Sequence, residues 1–87
     1  MNVEVELFGI PRARAGVGTT SARGANLGDV LADLADRFPA LADACIDGRR
    51  LKASYLASLD GRQFVTDPET PLTDGASLLI LSADAGG

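Results

Sequence analysis

The 87-residue sequence contains no histidine and only one cysteine, Cys45. Without histidine there is no imidazole to serve as acid, base or metal ligand. A lone cysteine excludes an internal disulfide and points to a reduced compartment, the cytoplasm. Basic side chains are also scarce, 8 against 12 acidic ones, for a net charge of −4. That balance argues against nucleic acid as a partner, because phosphate binding rests on clustered Lys and Arg. It suits a protein that docks on basic or apolar surfaces. No stretch approaches the roughly 20 apolar residues of a membrane helix. The N-terminal Met1 to Glu6 alternates apolar with polar residues, unlike a signal peptide, so no membrane partner is expected. No set of side chains resembles a catalytic constellation, so a stand-alone enzyme is not expected.

What is present has a readable order. An apolar share of 46% and a charged share of 23% suit one small folded domain rather than a disordered chain. Val3, Val5 and Leu7 alternate with Glu4 and Glu6, which predicts a half-buried strand ended by Pro11. Phe8 shares the less buried side with the two glutamates. Residues 17–22 offer a weak second strand. Leu27, Val30, Leu31, Leu34 and Phe38 fall on one helical face, with Asn26 as N-cap and Asp29 in the first turn. Pro39 ends that helix, and Leu41 to Cys45 add a short helical turn. Asp60-Gly61 lies between Tyr55–Leu59 and Arg62–Val65, as in a type I′ hairpin. Asp67-Pro68 and Asp74-Gly75 mark further turns. Ala76 to Ser82 is the last strand. Its unbroken run Leu78 to Leu81 predicts a central strand buried on both faces, beside the first strand.

Strand, strand, helix, hairpin and strand in that order, with the helix over one apolar sheet face, predict an α+β fold of the ubiquitin-like β-grasp type. The sheet is mixed, of four to five strands, with one main helix packed on one face. Residues 1–82 form the domain. Residues 83–87, Ala83-Asp84-Ala85-Gly86-Gly87, contain nothing large enough to anchor them and are expected to be a flexible tail.

The segment from Leu27 to Leu41, the turn Thr70-Pro-Leu-Thr-Asp-Gly75 and the last strand running into Gly86-Gly87 resemble the ubiquitin-like sulfur-carrier family. That family includes the molybdopterin synthase small subunit and the thiamine sulfur carrier (MoaD/ThiS), and the helical segment is closer to the former. The resemblance implies that the Gly87 carboxylate is the working group, with Gly86 beside it. A ubiquitin-activating-like adenylyltransferase joins AMP from ATP to it. A sulfurtransferase or cysteine desulfurase then supplies sulfur, giving a thiocarboxylate that an acceptor synthase consumes. The chain acts as carrier or as the small subunit of a synthase, binds no cofactor, and leaves ATP to its activating partner. Two residues without Cβ suit a tail that enters a narrow channel. The pathway implied first is molybdenum-cofactor synthesis. Cysteine, thiamine or specialised thio-metabolite synthesis, a ubiquitin-like protein modifier and a plain interaction domain are the alternatives. The family usually carries prolines before its glycines; Ser82-Ala83-Asp84-Ala85 stands here instead.

The resemblance also implies docking through apolar residues of the sheet face away from the helix. The expected contacts are Phe8, Phe64, Leu79 and Leu81, with Asp84 and Ala85 leading into the glycines. Cys45 reads as a small buried hydrophobe rather than a sulfur-transfer group. Arg12, Arg14, Arg49, Arg50 and Lys52 read as solvated loop residues. Gly16-Val17-Gly18 lacks the Lys-Ser/Thr of a phosphate loop.

Overall fold

The period of two in Asn2–Leu7 produces β1, with Val3, Val5 and Leu7 buried and Asn2, Glu4 and Glu6 exposed. In the computed structural model, which describes residues 1–83, β1 lies between β2 (Thr19–Arg23), antiparallel, and β7 (Ser77–Ser82), parallel. The hairpin β5 (Tyr55–Leu59) and β6 (Gln63–Val65) completes a mixed five-stranded sheet of order β2-β1-β7-β5-β6. The last strand is therefore central and beside the first, as predicted. The expectations for Asp84, Ala85, Gly86 and Gly87 lie outside the described residues.

Helix α2 (Leu27–Arg37) buries Leu27, Val30, Leu31 and Leu34 against the sheet, where they meet Val3, Val5, Leu7, Leu78 and Ile80. Its first turn has every N–H accounted for. Leu27 N donates to Thr70 O, Gly28 N to Pro68 O, Asp29 N to the Asn26 side chain and Val30 N to Asn26 O. The loop from Pro68 to Leu72 is thereby stitched onto the helix start, and Leu72 N adds a bond to Ala25 O. A short α3 (Pro39–Cys45) follows, then a separate two-stranded pair, β3 (Ile46–Asp47) and β4 (Arg50–Leu51).

Four features differ from the sequence reading. Pro11 does not merely end a strand. It is buried in the first turn of a helix, α1 (Ile10–Ala15), where the lack of an N–H costs nothing. Arg12 and Arg14 are thus helical, not loop residues. Leu79 and Leu81 are only half-buried, because all three helices cover one face of the sheet and leave the other open. Arg49 is not a freely solvated charge. Its guanidinium bonds the side chains of Asn26, Asp29 and Glu69, bracing the N-terminus of α2.

The β5–β6 turn has positive φ at both Asp60 (54°) and Gly61 (67°), with Arg62 N donating to Leu59 O. These are the backbone angles a type I′ turn requires. The ladder then resumes at Leu59–Gln63, so Arg62 is an extra residue on one strand.

Candidate functional site

Strand alternation and register decide which residues share the open sheet face. On β7, Leu78 and Ile80 point to the helices, leaving Ser77, Leu79 and Leu81 on the other side. Leu81 pairs with Leu56 of β5. Leu7 pairs with Ile80, and Phe8 N donates to Ile80 O, so Phe8 flanks Leu81 on the opposite edge. Phe8, just past β1, Leu81 of β7 and Leu56 of β5 therefore form an apolar row, at the end of the sheet where β7 gives way to Ala83. A second row reads Glu6, Leu79, Ser58 and Phe64. The structure brings Phe8, Leu79 and Leu81 together and sets Phe64, 65% exposed, on the far edge, with Ser58 between it and Leu79. Leu56 is an addition to the residues expected from sequence. Its signal is alternation with Ala57, which is fully buried.

Arg62 decides where Phe64 points. With a plain two-residue turn, Phe64 would oppose Ala57 and face the core. The extra residue moves Val65 into that place and turns Phe64 outward. Beyond the strand, Ala83 N donates to Ser54 O, which fixes the point from which the remaining residues depart.

Cys45 is fully buried, on the helix side of the sheet. Burial pushes its thiol above the ordinary value, and a hydrogen bond with Tyr55 together with the charges of Arg14 and Lys52 offsets part of the rise. Such a thiol is an inert core group, in line with its sequence reading. Among the described residues no group of His, Cys, Asp or Glu is placed to hold a metal ion, and no helix is long and apolar enough to cross a membrane.

No protein-family model and no curated protein matches the chain. Solved structures do. The chain aligns over 99% of its length with small archaeal modifier protein 1 (SAMP1) of Methanosarcina acetivorans, covering 96% of that protein at 28% identity and a TM-score of 0.78. Against the Amycolatopsis orientalis BexX/CysO complex the match covers 98% of this chain and 99% of that one, at 25% identity and a TM-score of 0.80. The fold is that of the ubiquitin-like sulfur carriers and modifiers. A Pyrococcus furiosus protein described as molybdopterin converting factor subunit 1 shares it too, over 94% of this chain and 97% of that one, at 22% identity and a TM-score of 0.76. Each of these likenesses spans nearly the whole of both chains. In ubiquitin-like terms, the row of Phe8, Leu81 and Leu56 occupies the sheet face opposite the helices, at the end where β7 finishes.

Proposed function

We propose that the chain is a sulfur carrier whose reactive group is the Gly87 carboxylate. An adenylyltransferase related to ubiquitin-activating enzymes couples this carboxylate to AMP, releasing pyrophosphate from ATP. The outer sulfur of a persulfide on a sulfurtransferase or cysteine desulfurase then displaces AMP. A second thiol cleaves the resulting acyl disulfide and is itself oxidised to a disulfide with the donor cysteine, and the thiocarboxylate so released passes its sulfur to an acceptor synthase. Gly86 gives the reacting end a slender backbone. Phe8, Leu79, Leu81 and Phe64 are the docking anchors, and Asp84 and Ala85 enter the partner's channel. The chain is carrier rather than enzyme, needs no bound cofactor, and works in the cytoplasm.

The observation that carries this reading is the near-complete structural match to CysO and SAMP1 in a sequence that contains Gly86-Gly87. The acceptor we propose is a molybdopterin synthase, on the likeness of the segment Leu27 to Leu41. The second reading is a modifier joined to lysines through the same carboxylate, favoured by the likeness to SAMP1.

The test is intact mass. The chain is incubated with ATP, a sulfur donor and the adenylyltransferase of its own organism. A carrier gains the mass difference between one sulfur and one oxygen, and loses that gain on deletion of Gly86 and Gly87. A modifier forms adducts with other proteins. An unchanged mass with no adduct would remove both readings.

A further inference from the structure

The stretch from Leu7 to Gly28 holds three arginines, Arg12, Arg14 and Arg23, and no acidic residue, in a chain of net charge −4. Two of the three lie on α1. Neither Arg12 nor Arg14 has an acidic partner among the described residues, whereas Arg37 and Arg49 are both ion-paired. The same helix is ringed by large apolar side chains open to water: Phe8 just before it (39% exposed), Ile10 in its first turn (48%) and Val17 just after it (38%). Among the described residues, Met1 and Phe64 are the other large apolar groups so exposed. Solubility gains nothing from such a cluster. Apolar anchors beside unpaired guanidinium groups are the make-up of an interface whose partner supplies the negative charge.

The position of this cluster is as telling as its chemistry. Because β1 and β7 run parallel, α1 rises from the end of the sheet at which β7 delivers the chain to Ala83. α1 packs on β7 and on α3. The positive charge of Arg14 is felt at Tyr55, the cross-strand partner of Ser82. The remaining arginines of the sheet are elsewhere: Arg23 ends β2 opposite Asn2, and Arg62 follows the β5–β6 turn, both at the far end.

We propose that α1, through Arg12, Arg14, Phe8, Ile10 and Val17, docks an acidic and partly apolar surface of the enzyme that acts on the C-terminal carboxylate. This inference rests on the carrier reading and adds to it a second contact, one that meets the open sheet face at Phe8. The cations steer the carrier onto that enzyme tail-end first, and the apolar groups hold it there.

The experiment measures adenylation of the full chain by the adenylyltransferase of its own organism, from about 50 mM to about 500 mM NaCl. Arg12→Glu/Arg14→Glu raises KM about tenfold or more at low salt with kcat little changed, and the difference shrinks as salt rises. Ile10→Ser raises KM by a similar factor at every salt concentration. Arg23→Glu/Arg62→Glu, with the same change in net charge, leaves KM within about twofold. Circular dichroism melts confirm that each variant is folded, as expected because neither Arg12 nor Arg14 is ion-paired to another described residue. An unchanged KM and salt dependence in Arg12→Glu/Arg14→Glu, with the wild type adenylated normally, overturns the inference and leaves the carrier standing. An equal loss in Arg23→Glu/Arg62→Glu overturns it as well, since net charge alone then explains the effect. So does sedimentation that shows α1 holding a second copy of this chain. A wild type that is never adenylated overturns the inference together with the carrier reading.

Discussion

Gly24 has no room for a side chain. A Cβ there would lie 2.7 Å from the Cβ of Asp29 and 2.8 Å from the backbone N of Val30, in the first turn of α2. Because one of those neighbours is backbone, the helix start itself must move. Gly24→Ala should cost about 1–3 kcal/mol, a fall in melting temperature of roughly 5–20 °C for a domain of this size; a calorimetric scan reads it. Cys45 gives a prediction of the opposite kind, about what does not happen. Its thiol is buried and raised above its ordinary value of 9.0, chiefly by desolvation. Above pH 9 the unfolded chain releases this proton before the folded one, so the folded state loses stability as pH climbs. Denaturant melts between about pH 8 and about pH 10.5 should show that decline, and Cys45→Ala should flatten part of it. At neutral pH a thiol reagent should label the native protein at the rate of global opening, not at that of an exposed cysteine.

At the scale of elements, α2 depends on its start. Asn26 accepts from Asp29 N at 2.8 Å and from Arg49, and Arg49 in turn holds Asp29 and Glu69. Asn26→Ala should lose about 1 kcal/mol, and Asn26→Ser should restore most of it, as chemical denaturation will show. The β5–β6 hairpin makes a sharper claim. Deleting Arg62 should slide the register by one, driving Phe64 into the place that Val65 holds against Ala57. The melting temperature should fall and the Phe64 amide should change its exchange rate. The two elements also show what can be read in advance. Asn26, the apolar face of α2, the Asp60-Gly61 turn and the alternation of β1 are local signals, and each appears where the sequence places it. α1 is hard to see in sequence because six residues offer less than two helical turns of pattern and Pro11 reads as a break. β3 and β4 are two residues each, too short for any period. The role of Arg49 depends on partners 20 to 23 positions away. The double-sided burial expected of Leu78 to Leu81 fails because an apolar run does not say whether the second covering layer is in the same chain. Phe8 is nevertheless legible on the open face from its alternation with Leu7 beside Glu4 and Glu6, Leu79 and Leu81 come only through the family resemblance, and Leu56 is placed there only once Ala57 is seen to be buried.

On the scale of the whole molecule, one layer of helices covers one side of a sheet whose other side keeps an apolar row. A charge placed in that row meets water, not core. Phe8→Asp should therefore keep the fold, with a melting shift of less than about 5 °C, and should weaken binding to the adenylyltransferase by an order of magnitude or more in a titration. Equal binding by the variant would remove Phe8 from the docking surface. The central place of β7 has a mechanical meaning as well. β1 and β7 run parallel, so the start of one and the finish of the other lie at opposite ends of the sheet. A pull on the chain beyond Ala83, against a domain held through β1, acts along the strands and across their hydrogen bonds, from Glu4 N–Ala76 O to Phe8 N–Ile80 O. The bonds share that tension all together, where a hairpin such as β5–β6 would unzip rung by rung. The β7–β5 ladder resists on the other flank. A machine that pulls on the chain beyond Ala83 would thus be hauling on a strand laddered on both sides, and tugging there is a poor way to unravel the domain.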